Sequence, residues 1–136
     1  MNAPTPIRGV HHVGLTVLDL AATLRFFVDE LGYRPSGEKP EYPAAFVTDG
    51  KTLITLWQVK DPSRAVAFDR AQNVGLHHLA LAVDGHAALD ALHQRLARRS
   101  DVELEFAPEP LGTGPTRHMM ARIPGGVRVE FIAVGA

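Results

Sequence analysis

The chain has 136 residues, 14 basic and 15 acidic groups, and a formal net charge of −1. That length predicts one domain, able to bury about two-thirds of its unfolded surface without disulfides. The absence of cysteine excludes disulfides, thiolate metal sites and a cysteine nucleophile. The near-neutral charge leaves no electrostatic footprint for nucleic acid. No run approaches the roughly 20 apolar residues of a membrane span, and the start, MNAPTPIRG, lacks the apolar stretch of a secretory signal. The expected setting is the cytoplasm, with no membrane partner.

After a loose MNAPTP tail, VHHVGLTV alternates. Val13, Leu15 and Val17 fall on one face of a strand, and His12, Gly14 and Thr16 on the other. Asp19 stands where an N-cap is needed. The helix behind it carries Leu20, Leu24, Phe27, Val28 and Leu31 on one face and stops at Gly32. Residues 34–43 read as a polar loop. AAFVTDG reads as a strand and turn, with Asp49-Gly50 as the hairpin signal, and KTLITLWQV returns.

Residues 60–74 read as a linker or short helix broken at Pro62. The pattern then recurs: His77-His78 precede LALAV as His11-His12 precede VGLTV. Asp84 and HAALDALHQRLARR form a helix with Leu89, Leu92 and Leu96 inward. VELEFAPEPL, a GTGP turn, the strand RHMMARI, a Pro124-Gly125-Gly126 turn and the strand VRVEFIAV complete the chain. Repetition of this kind predicts an α+β fold in which two similar units, residues 8–59 and 75–134, are joined by 60–74 within one domain spanning 1–136.

His12 and His78 occupy matching positions and have small same-face neighbours: Gly14 and Thr16 in one strand, Ala80 and Ala82 in the other. In the last strand Glu130 is out of phase with Val129 and Phe131, and shares its face with Arg128 and Ile132. A carboxylate on a sheet face is costly unless paired or metal-bound. Two imidazoles and one carboxylate hold one side of an ion and leave positions open, which suits Fe(II) or Mn(II) first, with Zn(II) or Ni(II) as alternatives. The plainer reading is of hydrogen-bonded strand histidines, with Glu130 paired to Arg122 or Arg128. His11 and His77 are out of phase and become ligands only if the registers slip by one.

His118 alternates with Met120 and Arg122 and is the candidate proton shuttle; otherwise it is an exposed strand histidine. Arg122 or Arg128 would bind a substrate anion or neutralise Glu130. Phe46, Trp57, Met119 and Met120 are candidates for the mouth of a pocket, Trp57 having the phase of Thr55; the commoner fate of such side chains is the core. His86 and His93 lie in or beside the second helix and are expected to face solvent.

Three segments carry a family resemblance: HHVGLTVLDLAATLRFFVDELGY, GLHHLALAVDGHAALDALHQRL and IPGGVRVEF. Together they resemble the vicinal oxygen chelate superfamily, the glyoxalase/bleomycin resistance/dioxygenase group, from about Val10 to Val134. The resemblance implies paired βαβββ modules forming a cupped mixed sheet with helices on its outer face. It places a divalent metal on His12, His78 and Glu130, and implies a homodimer. Aligning KTLITLW with VRVEFIA through their turns sets Thr55 opposite Glu130. Glyoxalase I-like members carry a carboxylate there, so the three-ligand pattern looks more like an extradiol dioxygenase. Fosfomycin-modifying members resemble a pattern with threonine two residues after the first histidine, where this chain has Gly14. The expected function is metal-dependent chemistry on a small substrate with vicinal oxygens, of dioxygenase type, with a lyase or isomerase or a non-catalytic binding protein as alternatives.

Overall fold

In the computed structural model, which describes residues 3–136, the chain divides into two compact units, 1–60 and 61–136. The first runs β1 (His12–Val17), α1 (Leu20–Arg25), β2 (Arg34–Lys39), β3 (Ala44–Thr48) and β4 (Leu53–Gln58). The second runs β5 (Leu79–Ala82), α2 (His86–Ala97), β6 (Glu103–Pro110), β7 (Arg117–Arg122) and β8 (Arg128–Ala133). Each is a βαβββ module with one four-stranded sheet, ordered β1-β4-β3-β2 and β5-β8-β7-β6. β1 is parallel to β4 and β5 to β8; the other pairings are antiparallel.

Alternation decides which face of each sheet meets its helix. In the first unit Leu15, Val17, Val47, Ile54 and Leu56 are buried with Phe26 and Phe27, and α1 packs on β3 and β4. In the second, Leu89, Leu92 and Leu96 of α2 are buried together with Met119, Ala121, Val129 and Phe131, and α2 packs on β6, β7 and β8. The opposite face of each sheet carries the candidate site residues.

The first helix begins as expected: Asp19 accepts a hydrogen bond from the Ala22 amide at 3.0 Å. It then widens into a π-helical turn, Phe26–Glu30, in which the Leu31 amide reaches Phe26 O at 3.2 Å. The turn closes with Gly32 at φ +76° and the Tyr33 amide donating to Phe27 O, a Schellman-type end that needs a residue without Cβ. The Asp49-Gly50 turn also forms, with Asp49 Oδ1 accepting from the Lys51 and Thr52 amides at 2.8 Å each.

Two local expectations are corrected. Residues 34–39 are not loop but the edge strand β2, paired antiparallel with β3; all six are exposed, so no hydropathic alternation marks them. The second helix is shorter than expected, spanning His86–Ala97, so Asp84 lies ahead of it and Gly85, without a side-chain bond, is its cap. The junction at residues 60–74, expected as a linker or short helix, holds a short 3-10 helix, Pro62–Arg64, with turns and irregular chain around it.

Candidate metal centre

The strand registers place the chemistry. Gly14 pairs with Thr55, and Ala80 with Glu130. On the next strand Phe46 pairs with Thr55 and Met120 with Glu130; one step on, Ala44 pairs with Trp57 and His118 with Ile132. Thr55 is thus the first-module counterpart of Glu130, Ala44 of His118, and Leu53 of Arg128.

In the second module the Glu130 carboxylate lies between two imidazoles. Its Oε1 is 3.3 Å from His78 Nε2, and its Oε2 is 2.6 Å from His118 Nδ1. Glu130 and His118 are 8% and 9% exposed, so this is a largely desolvated pair rather than a surface contact of negligible worth. An ionised carboxylate only accepts, so His118 Nδ1 carries the proton of that bond. The Nε2 edge of the ring is 3.9 Å from Glu109 Oε1, and Phe106 lies against the ring with centroids 5.0 Å apart. His118 is therefore not an exposed strand histidine.

Behind His78 stands a second line of groups. His78 Nδ1 is 2.7 Å from His77 Nδ1, and His77 Nδ1 is 3.4 Å from Arg128 Nη1. Arg128 is clamped by Glu105, with Nε at 2.8 and 3.1 Å and Nη2 at 2.9 Å. Arg128 does not neutralise Glu130; its charge goes to Glu105, whose carboxyl it holds below the ordinary range. Loss of water around the ring, and then the Arg128 guanidinium, hold the His77 imidazole below its ordinary value. His77 is exposed and precedes β5, which begins at Leu79. Arg122 lies beside Arg128 in register at the end of β7.

In the first module His12 Nδ1 meets His11 Nδ1 at 2.9 Å, again an edge-on ring pair. Thr55 is buried, and its Oγ1 accepts from Trp57 Nε1 at 2.9 Å. Trp57 packs on Phe46 and Tyr42, with centroids 6.3 and 6.1 Å away. A Cβ on Gly14 would meet Thr55 Oγ1 at 3.2 Å and Trp57 Nε1 at 3.6 Å, so this position closes tightly over the Thr55–Trp57 bond. Met120 shares the Glu130 face, but Met119 does not: it pairs with Phe131 and is fully buried on the helix side. His86 is half-buried, with Nε2 2.6 Å from Pro115 O, and His93 is half-buried too.

The sequence reading singled out His12, His78, Glu130 and His118, and the last three converge within the second module. It missed Glu105 and Glu109, whose only signal was the run of acids in ELEFAPEP. Among the described residues no group of three or more His, Cys, Asp or Glu side chains is arranged to hold a metal ion. The donor chemistry of the His78–Glu130 pair nonetheless fits one: an imidazole nitrogen and a carboxylate oxygen are borderline and hard donors of the kind first-row divalent ions accept. Two such atoms bound to one ion at roughly 2.0–2.2 Å lie about 3 Å apart, close to the 3.3 Å seen.

Duplicated βαβββ modules, each with its helix on one sheet face and its polar strand residues on the other, define the paired-module architecture expected from the sequence. The chain belongs to the Glyoxalase/Bleomycin resistance protein/Dioxygenase superfamily, whose family model matches residues 9–131. It is similar to a Bacillus halodurans structure provisionally assigned as a glyoxalase, with 27% identity and a TM-score of 0.74 over 91% of this chain and 94% of that one. Lactoylglutathione lyase from Agrobacterium tumefaciens shares the fold at 23% identity and TM-score 0.70, over 95% of this chain and 96% of that one. So does the fosfomycin resistance protein FosX from Listeria monocytogenes, at 19% identity and TM-score 0.72 over 93% of each chain. No curated protein is similar enough to count as a match. No helix among the described residues is long and apolar enough to cross a membrane.

Proposed function

We propose that this chain is a metal-dependent enzyme of lyase or isomerase type, acting on a small substrate that chelates through two vicinal oxygens. His12, His78 and Glu130 are the proposed ligands and His118 the proposed proton carrier. The observation that carries the reading is the Glu130 carboxylate, with one oxygen bonded to His118 and the other facing His78 Nε2. Relatives named as a glyoxalase and a lactoylglutathione lyase weigh toward it over the dioxygenase expected from the sequence. A homodimer, a single domain made of the two modules and a cytoplasmic setting belong to the same proposal.

A divalent cation at the ligands would polarise the substrate's vicinal oxygens as a Lewis acid. The protein's own part is positioning and proton transfer. His118 fixes the rotation of Glu130 by holding Oε2, which leaves Oε1 free to ligate. The same imidazole holds a proton at Nδ1 and turns Nε2 toward Glu109, whose side chain is 55% exposed and gives exchange with solvent. Trp57, Phe46 and Met120, on the same strand faces as Thr55 and Glu130, supply apolar surface for the substrate's body.

Thr55 keeps the dioxygenase as a second reading. Its hydroxyl is occupied by Trp57, so the fourth carboxylate ligand of glyoxalase I-like members has no substitute here. The test is to load the full chain with Fe(II), Mn(II), Zn(II) or Ni(II). Isomerisation of a glutathione hemithioacetal and O₂ uptake with a catechol are then assayed side by side. Isomerisation abolished by Glu130→Ala is the expected result. O₂ uptake without isomerisation would install the second reading, and ligand binding without turnover under any metal would overturn both.

A further inference from the structure

We propose that His77 is a positioning residue: backed by the Glu105–Arg128 ion pair, it fixes the tautomer of His78 so that Nε2 keeps its lone pair for the metal. The inference rests on the function proposed above. A guanidinium has donors and no acceptor. Arg128 therefore cannot receive a proton from His77 Nδ1, 3.4 Å away, and an N–H on that nitrogen would face a cation. The Glu105 clamp, with three contacts of 2.8 to 3.1 Å, holds the guanidinium plane in this position. His77 Nδ1 is thus the acceptor in its 2.7 Å contact with His78 Nδ1, and the proton of that bond belongs to His78.

A neutral imidazole carries one N–H. With Nδ1 protonated, His78 presents a bare Nε2 to Glu130 Oε1 at 3.3 Å. Two lone-pair atoms facing one another at that distance repel until a cation lies between them. His118 prevents escape on the other side, because its bond holds Oε2 and thereby the rotation of the carboxylate. The chain Glu105–Arg128–His77–His78 thus prepares the site before any ion arrives. The first module has the same ring pair, His11 and His12, but Leu53 in the place of Arg128. Among the described residues no equivalent cation lies against that pair to fix which histidine carries the proton, so His11 is the internal control.

The test uses the full-length, metal-free chain with ¹⁵N-labelled histidine, reading tautomers from long-range ¹H–¹⁵N correlations at a pH where the rings are neutral. In the parent chain His78 is expected as the Nδ1–H form. In His77→Phe it is expected to revert toward the Nε2–H form, and in His77→Asn, which keeps an acceptor oxygen, to stay Nδ1–H. Titration with Co(II) alone should show His77→Phe weakened about 10- to 100-fold, in the range of outer-shell partners, Arg128→Met weakened less, and His11→Phe by under about threefold. His78 in the Nε2–H form in the parent chain, or Co(II) binding by His77→Phe equal to the parent, would overturn the inference. A parent chain that binds no Co(II) but has His78 locked as Nδ1–H would overturn the metal reading and leave the lock standing.

Discussion

The two modules share strand order, pairing sense and the register of their three inner strands, yet they differ in chemistry. At the three equivalent positions where the first module has Thr55, Ala44 and Leu53, the second has Glu130, His118 and Arg128. In the first module the hydroxyl of Thr55 is tied to the indole of Trp57, which packs on Tyr42 and Phe46. In the second the equivalent position holds a carboxylate between two imidazoles. A duplicated scaffold has thus been loaded unevenly: one copy carries a buried threonine bonded to an indole, the other a buried carboxylate between two imidazoles. The helix-facing sides, which must pack, are alike in the two modules, and so are the ring pairs His11–His12 and His77–His78.

The largest effects should therefore be equal in the two modules, because they test packing. Phe27, in the π-helical turn of the first module, and Phe131, on β8 of the second, are fully buried. Phe27→Ala and Phe131→Ala should each cost about 3–5 kcal/mol by urea denaturation. A loss below about 1 kcal/mol in one module alone would break the equivalence of the two cores.

Replacing His118 with Phe should weaken Co(II) binding and slow turnover about 10- to 100-fold, since Glu130 would lose the partner that fixes its rotation. Unchanged binding would remove His118 from the site. Thr55→Val should cost only about 1 kcal/mol for a lost internal hydrogen bond, with the emission of Trp57, the chain's single tryptophan, reporting the freed indole. A loss of metal comparable to that of Glu130 variants would show that Thr55 is a ligand and the modules more alike than drawn here.

The smallest effect is electrostatic. Hydrogen bonds from the Thr52 and Lys51 amides hold the Asp49 carboxyl below its ordinary value. The folded pKa lies below the unfolded one, so the contribution is present above the ordinary carboxylate range and is lost as pH falls through the lowered value. Asp49→Asn should flatten the acid limb of the stability profile slightly, with little change at neutral pH; an unaltered acid limb would assign that limb to other carboxylates.

The helix-facing strands were legible because their alternation has period two, and the Thr55–Glu130 equivalence was legible because the turns before β4 and β8 could be aligned. β2 was not: its six residues are all exposed, and Pro35 and Gly37 flank a register shift. Its place is set by pairing with β3, which hydropathy does not record. Placing both Met119 and Met120 at the mouth ignored that neighbours in a strand face opposite ways. His118 could be phased with Met120 and Arg122 from the sequence, but not joined to Glu130, a contact that needs the β7–β8 register. The Glu105–Arg128 clamp lay further out of reach, since β6 and β7 pair through two register shifts.

The most direct test of the uneven loading is metal stoichiometry in anaerobically purified full-length chain, comparing the parent with Glu130→Ala, His78→Ala and Thr55→Val. Bound divalent metal that disappears in the first two variants and persists in the third is the result predicted. Equal metal in the parent and in Glu130→Ala would contradict the assignment of the centre to the second module's carboxylate.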